Sequence, residues 1–170
     1  MELSQFDPRF DRLWSRVERD YTVFGIRDFR YLRWRFDARP DANYSRFAAL
    51  RGSELIGYLV CRAAPDSEGA AMGYLVDFLV EDRSGEIFAM LVWAAEQQLR
   101  RQDVKAIVCT VAPAPFREQL ERLGYNRYQS DKPPGSFSVG VNSTDSALLR
   151  FADYSQWYFT MGDGDLELTS

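Results

Sequence analysis

The sequence contains no histidine and only two cysteines among its 170 residues. Without histidine, Ser-His-Asp and Cys-His catalytic arrangements are excluded, as is every zinc site with an imidazole ligand. Two separated cysteines, Cys61 and Cys109, cannot form a four-thiolate zinc site, so we predict no metal site. Any proton transfer must therefore use a carboxylate, a tyrosine, a lysine, a cysteine or water.

The sequence also lacks a basic excess and a long apolar run. Lysine and arginine total 21 against 25 aspartates and glutamates, whereas nucleic-acid binding usually needs a basic field. No apolar run is long enough to cross a bilayer, and the N-terminus has no signal-peptide pattern. Both cysteines lie in apolar, strand-like runs and are interpreted as reduced, buried thiols. We therefore expect a cytoplasmic protein that binds no nucleic acid and does not span a membrane.

The residues that are present indicate one globular domain. Hydrophobic residues make up 46% of the chain and aromatic residues 15%, which is enough for a substantial core. We predict a single domain over residues 1–160, followed by an acidic, mobile tail over residues 161–170.

Alternating apolar runs predict a sheet. Residues 44–50 and 55–62 are strand-like and flank a short polar turn, and residues 72–80 form a nearly all-apolar strand. A helix over residues 84–101 and a second apolar strand over residues 105–111 predict a parallel pair joined by a right-handed crossover. The expected fold is α/β, in the α+β sense: a mixed, mostly antiparallel twisted sheet with helices on both faces.

One predicted helix, residues 28–36, is strongly basic together with the residue before it. The four arginines are Arg27, Arg30, Arg33 and Arg35. Guanidinium groups suit a phosphate or a sugar acid. However, alternate residues on a helix do not share one face, so at most two of the four could converge on a ligand. We favour a solvated face that pairs with nearby aspartates.

The order of these segments resembles the GNAT superfamily of N-acetyltransferases. Leu123-Gly124-Tyr125 follows the last predicted helix, where the family usually has Leu-Gly-Phe. Arg27-Asp28, Trp34-Arg35 and the Trp-Tyr-Phe-Thr-Met-Gly-Asp run at residues 157–163 are similar to a subgroup found with bacterial exopolysaccharide biosynthesis. Proteins of that subgroup often contain two GNAT-like halves, and this chain is similar to the second.

This resemblance implies a cofactor and partners. The cofactor would be acetyl-CoA, and the acceptor a small amine or an amino sugar. A lone second half would leave apolar surface that a homodimer or a partner GNAT-like half could cover.

The resemblance also places the cofactor site. In the family, a bulge in the central strand opens a gap that admits the pantetheine arm. The backbone of Phe78, Leu79 and Val80 would pair with that arm. The pyrophosphate would lie at the start of the next helix, on Arg83, Ser84, Gly85 and Glu86.

The phosphate loop departs from the family pattern at two positions. The pattern is Gln or Arg, two residues, Gly, one residue, and then Gly or Ala. Gly85 takes the first glycine position, but Asp82 stands at the Gln or Arg position and Ile87 at the last small position. An aspartate repels a diphosphate, and a β-branched side chain crowds a close backbone approach.

Three residues are candidates for proton transfer. Asp77 is the first candidate base, because a carboxylate in an apolar strand has its pKa raised by desolvation; the alternative is a structural acid that bonds to backbone or pairs with an arginine. Glu81 is a second candidate base, with a solvated loop charge as the alternative. Family members often have a general-acid tyrosine four residues before the Gly124 position. Leu120 stands there, and the sequence assigns the role to no other tyrosine, although Tyr125 and Tyr128 lie near the expected region.

Two functions stay open at this stage. One is an acyl-CoA-dependent N-acetyltransferase. The other is a catalytically degenerate GNAT-fold module for binding or assembly that does not turn over CoA. A bulge near Val80 with an open cleft would favour the enzyme, and a closed strand pair with side chains in the gap would favour the module.

Overall fold

The computed structural model describes residues 1–66, 68–81, 85–111, 114–127, 153, 155 and 157–164. In chain order its elements are β1 (Glu2–Leu3), α1 (Arg9–Val17), β2 (Val23–Phe24), α2 (Phe29–Leu32), a π-helical turn (Arg33–Asp37), β3 (Ser45–Arg51), β4 (Glu54–Pro65), β5 (Ala71–Val80), α3 (Glu86–Arg100), β6 (Ala106–Cys109), α4 (Ala114–Arg122), β7 (Trp157–Tyr158) and a 3-10 turn (Met161–Asp163).

The main sheet has the strand order β1-β3-β4-β5-β6. The pairs β1–β3, β3–β4 and β4–β5 are antiparallel, and β5–β6 is parallel across α3. The turn between β3 and β4 contains Gly52 with φ of 62°, a conformation that glycine adopts without steric cost. The predicted mixed, mostly antiparallel sheet is therefore confirmed.

Helices cover both faces of this sheet, as two neighbouring residues of β4 show. Their side-chain positions point to opposite faces. The Tyr58 ring lies 5.5 Å from the Phe10 ring of α1, centroid to centroid. Gly57 faces the other way: a Cβ built there would lie 3.1 Å from Ile87 Cγ2 of α3. The prediction of helices on both faces is confirmed.

The basic helix begins where the sequence indicates. Asp28 is the N-cap residue, and its carboxylate accepts a hydrogen bond of 2.7 Å from the Tyr31 N–H. After α2 the chain continues into the π-helical turn, which carries Arg35 inward. Arg27 is 1% exposed and Arg35 is 4% exposed, so the expectation of a solvated arginine face is wrong for these two residues.

The C-terminal residues belong to the packed domain. β7 pairs in parallel with β2, and Thr160 forms an antiparallel bridge with Val111. Met161 and Gly162 are buried. The predicted tail therefore begins too early, because residues 161–164 pack into the core; residues 165–170 lie outside the described residues.

Within the described ranges, no helix combines the length and the apolar character that crossing a membrane requires.

Gly162 lies where a side chain cannot fit. A Cβ built on it would be 2.9 Å from Asp77 Cβ and 3.0 Å from Asp77 Cγ. We expect Gly162→Ala to lower the free energy of unfolding by about 2–3 kcal/mol, because the added methyl group must displace a buried side chain. Urea denaturation measures this loss.

Gly52→Ala is the control, since nothing lies within 4 Å of a Cβ at Gly52 although its φ is positive. It should cost about 1 kcal/mol from backbone strain alone. Equal losses in the two variants would contradict the close packing of residues 161–164 on β5.

Candidate active site at the end of the central strand

A bulge interrupts the pairing of β4 with β5. Asp77 lies opposite Val60, but Leu75 lies opposite Cys61, so Val76 is an extra residue in β5. The family resemblance led us to expect a bulge near Val80. The bulge is present at Val76 instead, and it increases the local twist of the strand.

Beyond this bulge β5 has no partner in β6. The parallel pairing runs from Met72 opposite Ala106 to Leu75 opposite Cys109 and then stops, while β5 continues to Val80. The two strands are therefore not hydrogen-bonded to each other at the carboxyl end of β5, and we call the free backbone edge of residues 76–80 on the β6 side the gap.

The side chain of Tyr158 lies at this gap. Its hydroxyl donates a hydrogen bond to the Phe78 carbonyl. Because backbone groups alternate in direction along a strand, this bond shows that Phe78 and Val80 direct their N–H and C=O groups to the gap, whereas Leu79 directs its own toward β4. All three residues are buried.

Aromatic rings pack around the same gap. The Phe78 ring lies 4.5 Å from that of Phe88 and 5.0 Å from that of Phe116, and Tyr158 lies 5.9 Å from Phe78, centroid to centroid. On its other side Tyr158 packs at 4.4 Å against Phe24 of β2.

The N-terminus of α3 follows the gap. Its N-cap residue is Gly85, which has φ of 84° and no side chain with which to cap the helix. A Cβ built on Gly85 would lie 2.8 Å from Gln119 Oε1, so the Gln119 carboxamide covers this glycine. Glu86 is exposed in the first turn. The predicted phosphate-binding residues Arg83 and Ser84, like Asp82, lie outside the described residues.

Asp77 is fully buried in β5 and has polar partners on both carboxylate oxygens. The Tyr58 hydroxyl donates to Oδ2 at 2.7 Å, and the Thr160 hydroxyl donates to Oδ1 at 2.6 Å. Arg27 Nε and Nη2 each lie 3.3 Å from Oδ1. Burial raises the pKa of Asp77, and the charge of Arg27 opposes this shift. These contacts are typical of a structural acid, and the role of base stays a prediction.

Arg27 lies between two carboxylates. Besides Asp77 it contacts Asp163, with Nη1 at 2.7 Å from Oδ1 and Nη2 bonded to Oδ2. Nη1 also donates to the Gly25 carbonyl at 2.8 Å. Asp163 in turn accepts the Thr160 N–H at 2.9 Å. We call Arg27, Tyr58, Asp77, Thr160 and Asp163 the Arg27 network.

A second arginine supports the same C-terminal segment. Arg35 Nη2 donates to the Gly164 carbonyl at 2.8 Å, and Nη1 donates to the Tyr44 hydroxyl at 3.0 Å. The Tyr31 hydroxyl donates to the Gly162 carbonyl at 3.0 Å. Arg27 and Arg35 thus converge on residues 160–164, a pair that helical spacing alone did not suggest.

Glu81 follows β5 directly and lies closer to solvent than Asp77. Its Oε1 lies 3.1 Å from Arg16 Nε, and Arg16 Nη1 lies 3.3 Å from Glu54 Oε1. The other oxygen, Oε2, has no hydrogen-bond partner among the described residues. The structure therefore places a carboxylate at the end of the strand that borders the gap, and one of its oxygens is unpaired within the described part of the chain.

Tyr125 lies elsewhere. Its hydroxyl donates to Glu96 Oε1 at 3.0 Å, and burial followed by the nearby Glu96 charge raises its pKa. Glu96 lies about 15 Å along α3 from Glu86, at 1.5 Å per residue. Tyr125 lines an open cleft of about 370 Å³ that also includes Arg100 and Ile107. The structure does not bring Tyr125 together with Asp77 or Glu81.

Comparison with solved structures identifies the fold. An aminoglycoside acetyltransferase from an uncultured soil metagenomic sample, meta-AAC0020, is similar with a TM-score of 0.54 and 18% identity, over 84% of this chain and 95% of that one. A Pyrococcus furiosus protein with a proposed acetyl transferase activity is similar with a TM-score of 0.53 and 22% identity, over 73% and 91% of the two chains.

The chain has the GNAT fold. The soil protein was crystallised with trehalose and with sisomicin. No protein-family model matches the present sequence, and a search of curated proteins finds no match.

Sequence analysis did not identify Tyr158, Gln119 or Asp163 as parts of this site. The run at residues 157–163 could have indicated Tyr158 and Asp163, because it resembles a GNAT subgroup. The prediction of a tail from residue 161 onward nevertheless placed Asp163 outside the domain. No sequence signal indicated that Gln119 would cover Gly85.

We expect substitution of the two candidate bases to lower the free energy of unfolding by different amounts. Asp77→Asn leaves the buried Arg27 with one carboxylate, and we expect it to lower the free energy of unfolding by about 3 kcal/mol. Glu81→Gln removes a partly exposed ion pair and should cost less than about 1 kcal/mol. Urea denaturation of both variants checks the contrast, and equal stabilities would contradict the Arg27 network.

Proposed function

We propose that the chain is an acyl-CoA-dependent N-acetyltransferase that acts on a small amine or an amino sugar. The observation that carries this proposal is the course of β5, which runs unpaired past the Val76 bulge and leads to the N-terminus of α3. Such an arrangement offers free strand backbone to a pantetheine arm and a helix terminus to a diphosphate. The GNAT fold supports the reaction class by analogy.

The residues at the gap fit acetyl-CoA in part. The backbone of Phe78 and Val80 would hold the pantetheine amides, because both residues direct their polar groups to the gap. Gly85 would allow a close approach of the diphosphate to α3. Gln119 covers Gly85 with the end of a flexible side chain, so it would have to move when the cofactor binds.

The chain supplies groups for each part of the transfer. A backbone N–H of Phe78 or Val80 would donate to the thioester oxygen, on which negative charge develops as the amine attacks. Glu81 would accept the proton of the attacking amine, directly or through water, since its Oε2 lacks a partner among the described residues. Collapse of the tetrahedral adduct breaks the C–S bond and forms the amide, and CoA leaves as the thiolate, which takes a proton from water.

Charge near the end of β5 favours a cationic acceptor. Glu54 and Glu81 both pair with Arg16, so in this group of described residues two carboxylates meet one guanidinium. A protonated amine would be attracted there, and Glu81 would then receive its proton.

The remaining features of the proposal come from the sequence: the location from its cysteines, and the association and pairing from the family resemblance. We propose a cytoplasmic location, association with polysaccharide-precursor synthesis, and pairing with a second copy of the chain or a partner GNAT-like half.

A GNAT-fold binding module that does not turn over CoA is the second candidate function. Two contacts favour it. The Tyr158 hydroxyl donates a hydrogen bond to the Phe78 carbonyl, and the Gln119 carboxamide covers Gly85. If these side chains never move, neither the strand nor the helix terminus is open to a cofactor.

Calorimetric titration with acetyl-CoA tests the proposal. We expect the native chain to bind with micromolar affinity and to release thiol when small amines or amino sugars are added. Asp82→Arg should bind more tightly, because it replaces a charge that repels the diphosphate.

Glu68→Arg is the control, since it makes the same change of charge in the exposed loop at the opposite end of β5 and should leave the affinity unchanged. Absence of binding by the native chain and by Asp82→Arg would contradict the acetyltransferase and favour the module.

A further inference from the structure

The buried Tyr158 hydroxyl occupies a position that a cofactor would need. Tyr158 is 2% exposed, and its hydroxyl donates to the carbonyl of Phe78, one of the two residues whose polar groups face the gap. An amide N–H of a pantetheine arm is a donor of the same kind and would need the same acceptor.

A cofactor cannot simply share this carbonyl with Tyr158. A carbonyl oxygen has two lone pairs, but the Tyr158 ring lies 5.9 Å from the Phe78 ring and 6.0 Å from the Phe116 ring, centroid to centroid. The tyrosine ring therefore fills space directly beside the carbonyl, and a ligand chain that approaches from the gap meets it.

The backbone of Tyr158 is fixed on both sides. On one side Trp157 and Tyr158 pair with β2. On the other side Thr160 belongs to the Arg27 network, in which its hydroxyl donates to the buried Asp77 at 2.6 Å. Because the backbone is held, only the Tyr158 side chain can clear the carbonyl.

On the side away from β5, the Tyr158 ring packs against partly exposed residues. Its ring contacts Tyr21 at 5.0 Å and Phe24 at 4.4 Å. Both of these residues are only partly buried, on the connection between α1 and α2. A rotation of Tyr158 away from β5 would therefore press on this connection and not on the closed core around Phe88.

From this geometry we propose that Tyr158 is a built-in competitor of acyl-CoA, whose hydroxyl replaces a pantetheine amide on β5 and must be displaced before the cofactor binds. The inference rests on the proposed function. It makes residues 157–164 a regulatory segment, because anything that moves Tyr158 toward Tyr21 and Phe24 increases the affinity for the cofactor.

Calorimetry with acetyl-CoA on Tyr158→Phe tests the inference. The substitution keeps the ring and removes only the hydroxyl, so displacement of the ring by a ligand no longer breaks a hydrogen bond to the Phe78 carbonyl. We expect the dissociation constant to fall several-fold, up to about tenfold, the range set by one net hydrogen bond. Binding by Tyr158→Phe alone, with none by the native chain, would also support the inference.

Tyr74→Phe is the matched control. It also removes the hydroxyl of a buried tyrosine, but Tyr74 lies in the part of β5 that pairs with β6, opposite Val108 and before the gap. Its affinity for acetyl-CoA should match that of the native chain even if its stability falls.

The remaining outcomes separate this inference from the proposed function. Equal affinity of the native chain and both variants would overturn the inference and leave the acetyltransferase intact. An equal gain in both variants would indicate general loosening, and weaker binding by Tyr158→Phe would make the hydroxyl a ligand contact; either result overturns the inference. Absence of binding by all three proteins would overturn the inference and the proposed function together.

Discussion

A buried guanidinium group between two carboxylates fixes the arrangement of this domain. Arg27 has no exposed side-chain surface and contacts Asp77 of the central strand and Asp163 near the C-terminus. A charge so deeply buried is tolerated only when paired and hydrogen-bonded. Because the carboxylates are far apart in sequence, their shared cation ties the connection after β2, the central strand and the C-terminal segment into one unit.

The same strand carries both this network and the candidate site, and the alternation of its residues keeps them apart. Asp77 sends its side chain into the network on the α1 face, while Phe78 packs its ring under α3 and turns its carbonyl to the gap beside β6. The bulge at Val76 lies directly before both residues. Two C-terminal residues contact these groups separately. The Thr160 hydroxyl donates to the Asp77 carboxylate, and the Tyr158 hydroxyl donates to the Phe78 carbonyl. The network thereby determines which groups face the gap beside β5.

Sequence periodicity was sufficient for the sheet, because alternation and apolar runs report local burial. It identified the β3–β4 hairpin, the all-apolar β5 and the crossover through α3, and it singled out Asp77 as a carboxylate in an apolar strand. It placed Arg27 and Arg35 on a solvated face and began the tail too early. The partners that bury these residues lie far away in the sequence, where periodicity carries no information. The contact between Tyr158 and Phe78 spans 80 positions in the chain, and no local pattern encodes it. For the same reason Gln119 could not be placed over Gly85.

Native-state amide hydrogen exchange of the C-terminal segment tests the central claim most directly. Thr160 N–H donates to Asp163, and Gly162 N–H donates to the Thr160 hydroxyl. If the Arg27 network makes this segment part of the core, both amides exchange only when the whole domain unfolds, at the rate of Leu79 in β5. Exchange of Thr160 and Gly162 within seconds, while Leu79 stays protected, would show a loosely attached tail and contradict the account.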